Sequence, residues 1–300
     1  MLHAIDPRSL APHFSGPRGG SLHHVDLEFE PDTGILWQRL KRGSTPYFSH
    51  DQLNEIRYVQ QAVSGGLSLP IECYSSELVR YVVFASNIPG IFSLGGDLRL
   101  FRELIEKRDR AGLQFYAQKA ADAVYNHATN TRNITSFSLV QGTAMGGGFE
   151  AALAGNVLVA ERGNRMGFPE VLFGLFPGMG AYTLLRRKVD AVAAEKIILD
   201  AENYPVEDLH KMGIVDVLAD PGEGERVIYS YISRQKNRPG ASAFRSALNK
   251  VRVIDRDELY TLADEWVATA MDLSPTHLRR IDKLIAGQQK FVPPGLSRVR

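Results

Sequence analysis

The run Gln141-Gly142-Thr143-Ala144-Met145-Gly146-Gly147-Gly148-Phe149-Glu150 decides how this chain is read. It follows Ile134–Val140, which reads as a strand, and it opens Glu150–Leu153, which reads as a helix. Consecutive glycines at a strand-to-helix turn let backbone N–H groups converge on a ligand oxygen with no Cβ in the way. Glu150 follows the triplet in the first helical turn, where the helix dipole favours a negative charge. Taken alone, such a cluster is more often an ordinary turn, and such a glutamate a helix-start charge.

A second glycine turn, Phe92-Ser93-Leu94-Gly95-Gly96-Asp97, follows the apolar stretch Leu78–Ala85 and leads into a helix over Leu98–Lys107. That apolar stretch reads as a strand buried on both faces. Two glycine turns from separate strands can supply the two donors of an oxyanion hole. A third segment runs from Arg165 through Phe168-Pro169-Glu170-Val171-Leu172-Phe173 to Gly174 and Pro177-Gly178-Met179-Gly180. The neighbours of Glu170 are almost all apolar, and desolvation raises a carboxyl pKa towards the range useful for proton transfer. Two carboxylates in different surroundings make a paired acid and base.

Further out, Val25–Glu30 and Ile35–Leu40 predict a β-hairpin, and Asp51–Ser64 and Leu113–Thr129 predict helices. Val157–Ala160 predicts a strand. Beyond Gly180 helices dominate: Ala181–Lys188, Ala191–Leu199, Val206–Met212, Glu223–Lys236, Ala241–Val251, Glu258–Met271 and Pro275–Gln289, with a short strand at Gly213–Leu218. The pattern is an α/β body followed by a helical C-terminal third. The expected division is a flexible arm over 1–23 containing Pro7, Pro12 and Pro17, a core over 24–220 and a helical region over 221–300, ending in a short basic tail.

The 300 residues carry 35 Lys+Arg against 34 Asp+Glu, a formal charge of +1, which gives no electrostatic reason to expect nucleic-acid binding. Hydrophobic residues make up 44% of the chain, enough for a large core. The lone cysteine, Cys73, fits a reducing compartment, and as a nucleophile it has little to recommend it. The start of the chain does not read as a secretory signal, and no stretch is long and apolar enough for a membrane span. The expectation is a cytoplasmic protein without membrane insertion. His23-His24 and His50 lack ligand spacing and read as surface residues rather than a metal site. No cofactor is expected. There is no G-x-S-x-G elbow and no phosphate loop. Arg186-Arg187-Lys188 reads as a solvated helix end, and Trp266 and Met271 as core.

The three motifs together resemble the crotonase (enoyl-CoA hydratase/isomerase) superfamily, in order and spacing, from about Leu27 to Gln289. The resemblance implies a β-β-α spiral core with a helical C-terminal region that packs oligomers, trimers or hexamers. It places the oxyanion-hole amides on Gly96 and Gly147 and the two hydratase glutamates on Glu150 and Glu170. The segments Gly147–Ala154, Phe168–Phe173, Leu175–Tyr182 and Glu265–Ala270 are similar to the diffusible signal factor synthases, which make cis-2-unsaturated fatty acid signals for quorum sensing. Common hydratases usually carry Cys where Phe149 stands and often Asp where Asn156 stands.

That resemblance implies dehydration of a 3-hydroxyacyl chain on acyl carrier protein, or on CoA, followed by thioester hydrolysis. Glu170 would act on the C2 side and Glu150 on the oxygen side. An apolar sleeve for the acyl tail is expected from Leu172, Phe173, Phe176, Met179 and Trp266. The alternatives are a metabolic 2-enoyl-CoA hydratase and a non-catalytic module docking to a partner such as a sensor kinase.

Overall fold

The computed structural model describes residues 22–65, 78–129, 134–251 and 253–293. Cys73, the proline-rich arm before Leu22 and the basic tail lie outside them. The hairpin forms from β1 (Val25–Glu30) and β2 (Ile35–Leu40), antiparallel from Val25 opposite Leu40 to Glu30 opposite Ile35. Order reaches further towards the N-terminus than the expected boundary at His24. The amides of His23, His24 and Val25 all donate to the buried carboxylate of Glu55, at 2.7, 2.8 and 3.1 Å. Glu55 belongs to α1 (His50–Val63), capped by the Ser49 hydroxyl.

Three β-β-α turns come next. In the first, β3 (Tyr81–Ser86) and β4 (Ile91–Ser93) lead to α2 (Leu98–Glu106) and α3 (Arg110–Thr129). In the second, β5 (Thr135–Val140) and β6 (Thr143–Met145) lead to α4 (Gly147–Leu153). In the third, β7 (Val157–Glu161) and β8 (Arg165–Gly167) lead to a 3-10 turn, Glu170–Phe173. The first strand of each turn joins one sheet, of order β1-β2-β3-β5-β7-β10, and the second joins another, of order β4-β6-β8-β9. Here β9 is Asn203–Pro205 and β10 is Val217–Ala219. This alternation is the spiral, and pairing is parallel in each sheet apart from β1 with β2 and β8 with β9.

The larger sheet is buried on both faces, as the apolar run at Leu78–Ala85 implied. Leu36, Val82, Phe84 and Leu158 join the main core, whereas Trp37, Val83, Phe137 and Val157 form a second cluster with Ile228 and Ile232. Those isoleucines come from α8 (Gly224–Lys236), so part of the helical third covers the sheet's outer face. The remaining helices are α5 (Ala181–Leu185), α6 (Ala191–Leu199), α7 (Val206–Lys211), α9 (Pro239–Val251), α10 (Arg256–Met271) and α11 (Pro275–Gln289). A buried carboxylate ties α1, α3 and α10 together: Asp122 accepts from Arg57, Arg256 and the Tyr260 hydroxyl. Arg187 and Lys188 are also engaged, with the Thr183 carbonyl and Asp216 respectively, rather than simply solvated. No helix among the described residues is long and apolar enough to cross a membrane.

Candidate active site

The smaller sheet explains why three distant motifs meet. Its strands β4, β6 and β8 are neighbours and parallel, so their C-terminal ends lie together. Just beyond those ends stand, in chain order, Gly95-Gly96, Gly146–Glu150 and Phe168-Pro169-Glu170. Ligands of open α/β sheets bind outside the carboxyl ends of strands, and these motifs line one cavity of about 320 Å³.

The glycine turns touch one another. A Cβ on Gly95 would lie 3.1 Å from the Gly147 nitrogen, and one on Gly147 would lie 3.6 Å from the Gly96 nitrogen. A Cβ on Gly148 would meet the Ser93 carbonyl oxygen at 2.2 Å, so α4 cannot pack against the end of β4 with a larger residue there. The amide of Gly147 is the first of α4 and has no carbonyl one turn back to bond. Neither it nor the Gly96 amide has an acceptor among the described residues, and both residues line the cavity.

The two glutamates enter the cavity in different states. Glu150 is buried, and its Oε1 accepts from the amides of Met179 at 2.8 Å and Ala181 at 2.9 Å. Burial pushes its pKa up to about 7, with the amides of Met179, Ala181 and Gly180 opposing the shift. Glu170 is also buried, but its Oε2 has no hydrogen-bond partner. Burial, and secondarily the nearby Glu150 charge, raise the Glu170 pKa well above the ordinary carboxyl value. Titration of such neighbours belongs to the pair, and at neutral pH the pair holds a proton mainly on Glu170.

Of the residues expected to sheathe an acyl tail, Phe173, Met179 and Trp266 line the cavity. Leu172 does not: it is exposed, and its carbonyl is taken by Arg280. Phe176 also lies outside the lining, although its neighbour Leu175 and, further on, Gly178 and Met179 belong to it. Sequence reading missed Phe101, Tyr116, Ala117, Asn203, Leu284 and Gln288. These sit on α2, α3, β9 and α11, far from the motifs in sequence, and no local pattern sets them apart from core positions. Phe149 does not reach the cavity, stacking on Phe168 with ring centroids 4.6 Å apart. Asn156 is structural: its side chain accepts from the Ser136 amide and donates to the Ala128 carbonyl. No group of His, Cys, Asp or Glu among the described residues is arranged to hold a metal ion.

An apolar cavity with paired carboxyls and two converging unpaired amides defines a site for acid–base chemistry next to a carbonyl. Residues 71–234 match the family described as enoyl-CoA hydratase/isomerase. The chain belongs to that family, within the crotonase superfamily. Among its relatives, the Arabidopsis thaliana peroxisomal fatty acid beta-oxidation multifunctional protein AIM1 is 32% identical over 145 residues, covering 48% of this chain and 19% of that protein. Mitochondrial methylglutaconyl-CoA hydratase of Rattus norvegicus is 28% identical over 178 residues, covering 59% of this chain and 50% of that one. The chain thus spans half or less of the length of these relatives. Pseudomonas aeruginosa DspI shares the fold with a TM-score of 0.63 at 20% identity, covering 92% of this chain and 99% of that one. An enoyl-CoA hydratase from Bacillus halodurans does so with a TM-score of 0.70 at 16% identity, covering 87% and 100%.

Proposed function

We propose that the protein dehydrates a 3-hydroxyacyl chain carried as a thioester on acyl carrier protein, then hydrolyses the enoyl thioester to free a cis-2-unsaturated fatty acid signal. The observation that carries this reading is the convergence, in one apolar cavity, of two unpaired amides with two carboxyls of unequal environment. The thioester carbonyl sits on the Gly96 and Gly147 amides, which stabilise the enolate as C2 loses its proton. One donor of that kind is worth about 3–4 kcal/mol in the transition state. Glu170 takes the C2 proton, Glu150 gives its proton to the departing 3-hydroxyl, and water leaves. In the second step a water held by Glu150 attacks the same carbonyl and gives up its proton there. The carbon–sulfur bond breaks, and the carrier thiol leaves with that proton. Trimeric or hexameric assembly belongs to the same reading.

A second reading, a 2-enoyl-CoA hydratase of ordinary metabolism, is favoured by a specific observation. With Glu170 protonated and Glu150 ionised, the resting pair is set to add water: Glu150 activates the water and Glu170 protonates C2. Dehydration needs that proton moved to Glu150 and Glu170 left ionised, the less favoured arrangement of the pair.

The test is mass spectrometry of the products formed from 3-hydroxydodecanoyl-acyl carrier protein, with Glu150→Gln as control. A free cis-2-unsaturated acid is the expected product. An enoyl chain left on its carrier removes the hydrolytic step. Turnover confined to CoA thioesters selects the metabolic hydratase.

A further inference from the structure

Every backbone polar group of the Leu94–Asp97 turn but one is bound within the protein. The Leu94 amide donates to the Pro46 carbonyl at 2.7 Å, the Gly95 amide to Ser93 Oγ at 3.2 Å and the Asp97 amide to the Tyr116 hydroxyl at 3.3 Å. The Gly95 carbonyl accepts from the Phe48 amide at 2.8 Å, and the Asp97 carbonyl from the Phe101 amide at 3.0 Å. The two remaining carbonyls, those of Leu94 and Gly96, are both taken by the side-chain amide of Gln288, whose Nε2 lies 3.1 and 3.0 Å away. What is left over is the amide of Gly96, a residue that lines the cavity.

Gln288 stands in the last turn of α11, 192 residues along the chain from Gly96, and is 7% exposed. A buried primary amide is costly unless bonded. Here the hydrogens of one nitrogen straddle the Gly95–Gly96 peptide, with one carbonyl on either side of it. A glycine pair is the most rotatable backbone available, and Gly95 already sits at φ +88°. The Phe48 amide holds the Gly95 carbonyl at one edge of this peptide, and Gln288 holds the peptides on either side of it, so together they remove the rotation that would swing the Gly96 amide away from the ligand. The same helix also reaches the opposite edge of the site. Arg280 donates to the Leu172 carbonyl at 2.6 Å, and the His277 ring fills the space that a Cβ on Gly174 would need.

We propose that Gln288 is a positioning residue for the reaction. It locks the Gly95–Gly96 peptide so that the Gly96 amide meets the thioester carbonyl, and through it α11 sets the oxyanion turn against the Glu170 turn. This rests on the reading of Gly96 as an oxyanion donor. A preorganised donor needs no reorganisation as charge develops, so loosening it weakens the transition state more than the bound substrate. The deficit therefore falls on kcat, with KM nearly unchanged.

The test pairs kinetics with a probe of the carbonyl itself. A dodecanoyl thioester labelled at its carbonyl carbon, on acyl carrier protein and on CoA, is bound to the wild-type protein and to Gln288→Leu, and the infrared carbonyl stretch is recorded. Hydration of the trans-2-dodecenoyl thioester on the same two carriers is measured in parallel. In the wild type the stretch moves to lower frequency on binding. In Gln288→Leu most of that shift is lost and kcat falls roughly 10- to 100-fold, with KM within about threefold. Gln288→Glu adds a readout that a merely structural role would not move. Its protonated carboxyl can donate to one carbonyl and its ionised form to none, so its kcat relative to wild type falls as pH rises. A folded Gln288→Leu with wild-type shift and kcat overturns the proposal alone. A wild-type protein that binds the probe on neither carrier, or binds it without a shift, overturns the oxyanion reading and this proposal with it. If Gln288→Leu does not fold, a flat pH profile for Gln288→Glu relative to wild type overturns it.

Discussion

The carboxylate of Glu170 lies against the Cα of Gly146: a Cβ built on that glycine would stand 2.3 Å from Glu170 Oε1. Gly146 also holds φ 53° and ψ −125°, a backbone conformation that residues with a side chain avoid. One glycine thus opens α4, aiming the Gly147 amide and Glu150, and forms the surface on which the second carboxylate rests. Gly146→Ala is expected to lower the melting temperature and to cost about a hundredfold in kcat while deleting no functional group, since displacements near 1 Å have that effect. Thermal unfolding and steady-state kinetics check both, and unchanged turnover would detach Glu170 from this packing.

Removing either carboxyl should exchange activity for stability. Glu150→Gln and Glu170→Gln are each expected to abolish dehydration and hydration, yet to melt higher than wild type at pH 8. The sign comes from linkage. A carboxyl raised from 4.5 to about 7 holds its proton in the native state where the unfolded chain has released it. The wild type therefore loses stability as pH rises from about 4.5 through about 7, and a glutamine at the same place does not. Calorimetry at pH 5 and pH 8 reads the difference. A melting-temperature gap of equal size at both pH values would show that Glu150 does not titrate in this window.

The two directions of the reaction should share one pH profile. Adding water to an enoyl thioester takes up and releases no net proton, so the equilibrium constant fixes the ratio of the two kcat/KM values at every pH. Both directions need the pair singly protonated, and a second proton on Glu150 stops both, so kcat/KM falls in each direction as pH drops through about 7. A hydration profile that stays flat as pH drops through that range would detach Glu150 from the titration.

The backbone amide of Gly147 can be deleted with little harm to the helix that it begins. Proline is tolerated at the first helical position, so Gly147→Pro removes the donor and leaves α4 able to form. The crowding it meets is the Met179 Cε, 2.7 Å from a Cβ at that position and at the end of a flexible side chain. Gly148→Ala instead meets the Ser93 backbone at 2.2 Å and should damage the fold itself. The expected contrast is an inactive but folded Gly147→Pro beside a destabilised Gly148→Ala, read by circular dichroism and turnover. A fully active Gly147→Pro would remove its amide from the oxyanion hole.

The long elements were legible because their periodicity outlasts local noise. The β1–β2 hairpin and α3 could be read directly. The smaller sheet could not, because β4, β6, β8 and β9 have three residues each and hide inside motifs that read as turns. The glycines and glutamates stood out because helices and strands would not choose them, and they fall at the ends of those hidden strands. The cavity's other residues gave no such signal. Leu172 and Phe173 are adjacent, apolar and indistinguishable by type, and the 3-10 turn alone decides that Phe173 faces inward. Gln288 carries its meaning only through two carbonyls nearly two hundred residues away.

Acyl-chain length should be set on α3. Ala117 and Ala120 lie three positions apart on its buried face and line the cavity beside Tyr116. Elsewhere in the same lining the Phe101 ring meets Tyr116 and Trp266 edge-on at 4.9 and 5.0 Å, a packed aromatic group. Space for a tail therefore depends on the two alanines staying small. Ala117→Leu should spare crotonyl-CoA, which needs little of the cavity, and penalise trans-2-dodecenoyl-CoA. Each methylene denied its place costs about 1–3 kcal/mol in kcat/KM, so the ratio of long- to short-chain efficiency should fall by at least about tenfold. Competition between the two thioesters measures that ratio free of enzyme concentration. An unchanged ratio would mean that the tail leaves the oxyanion hole in another direction, past Leu284 and Phe291 on the α11 side.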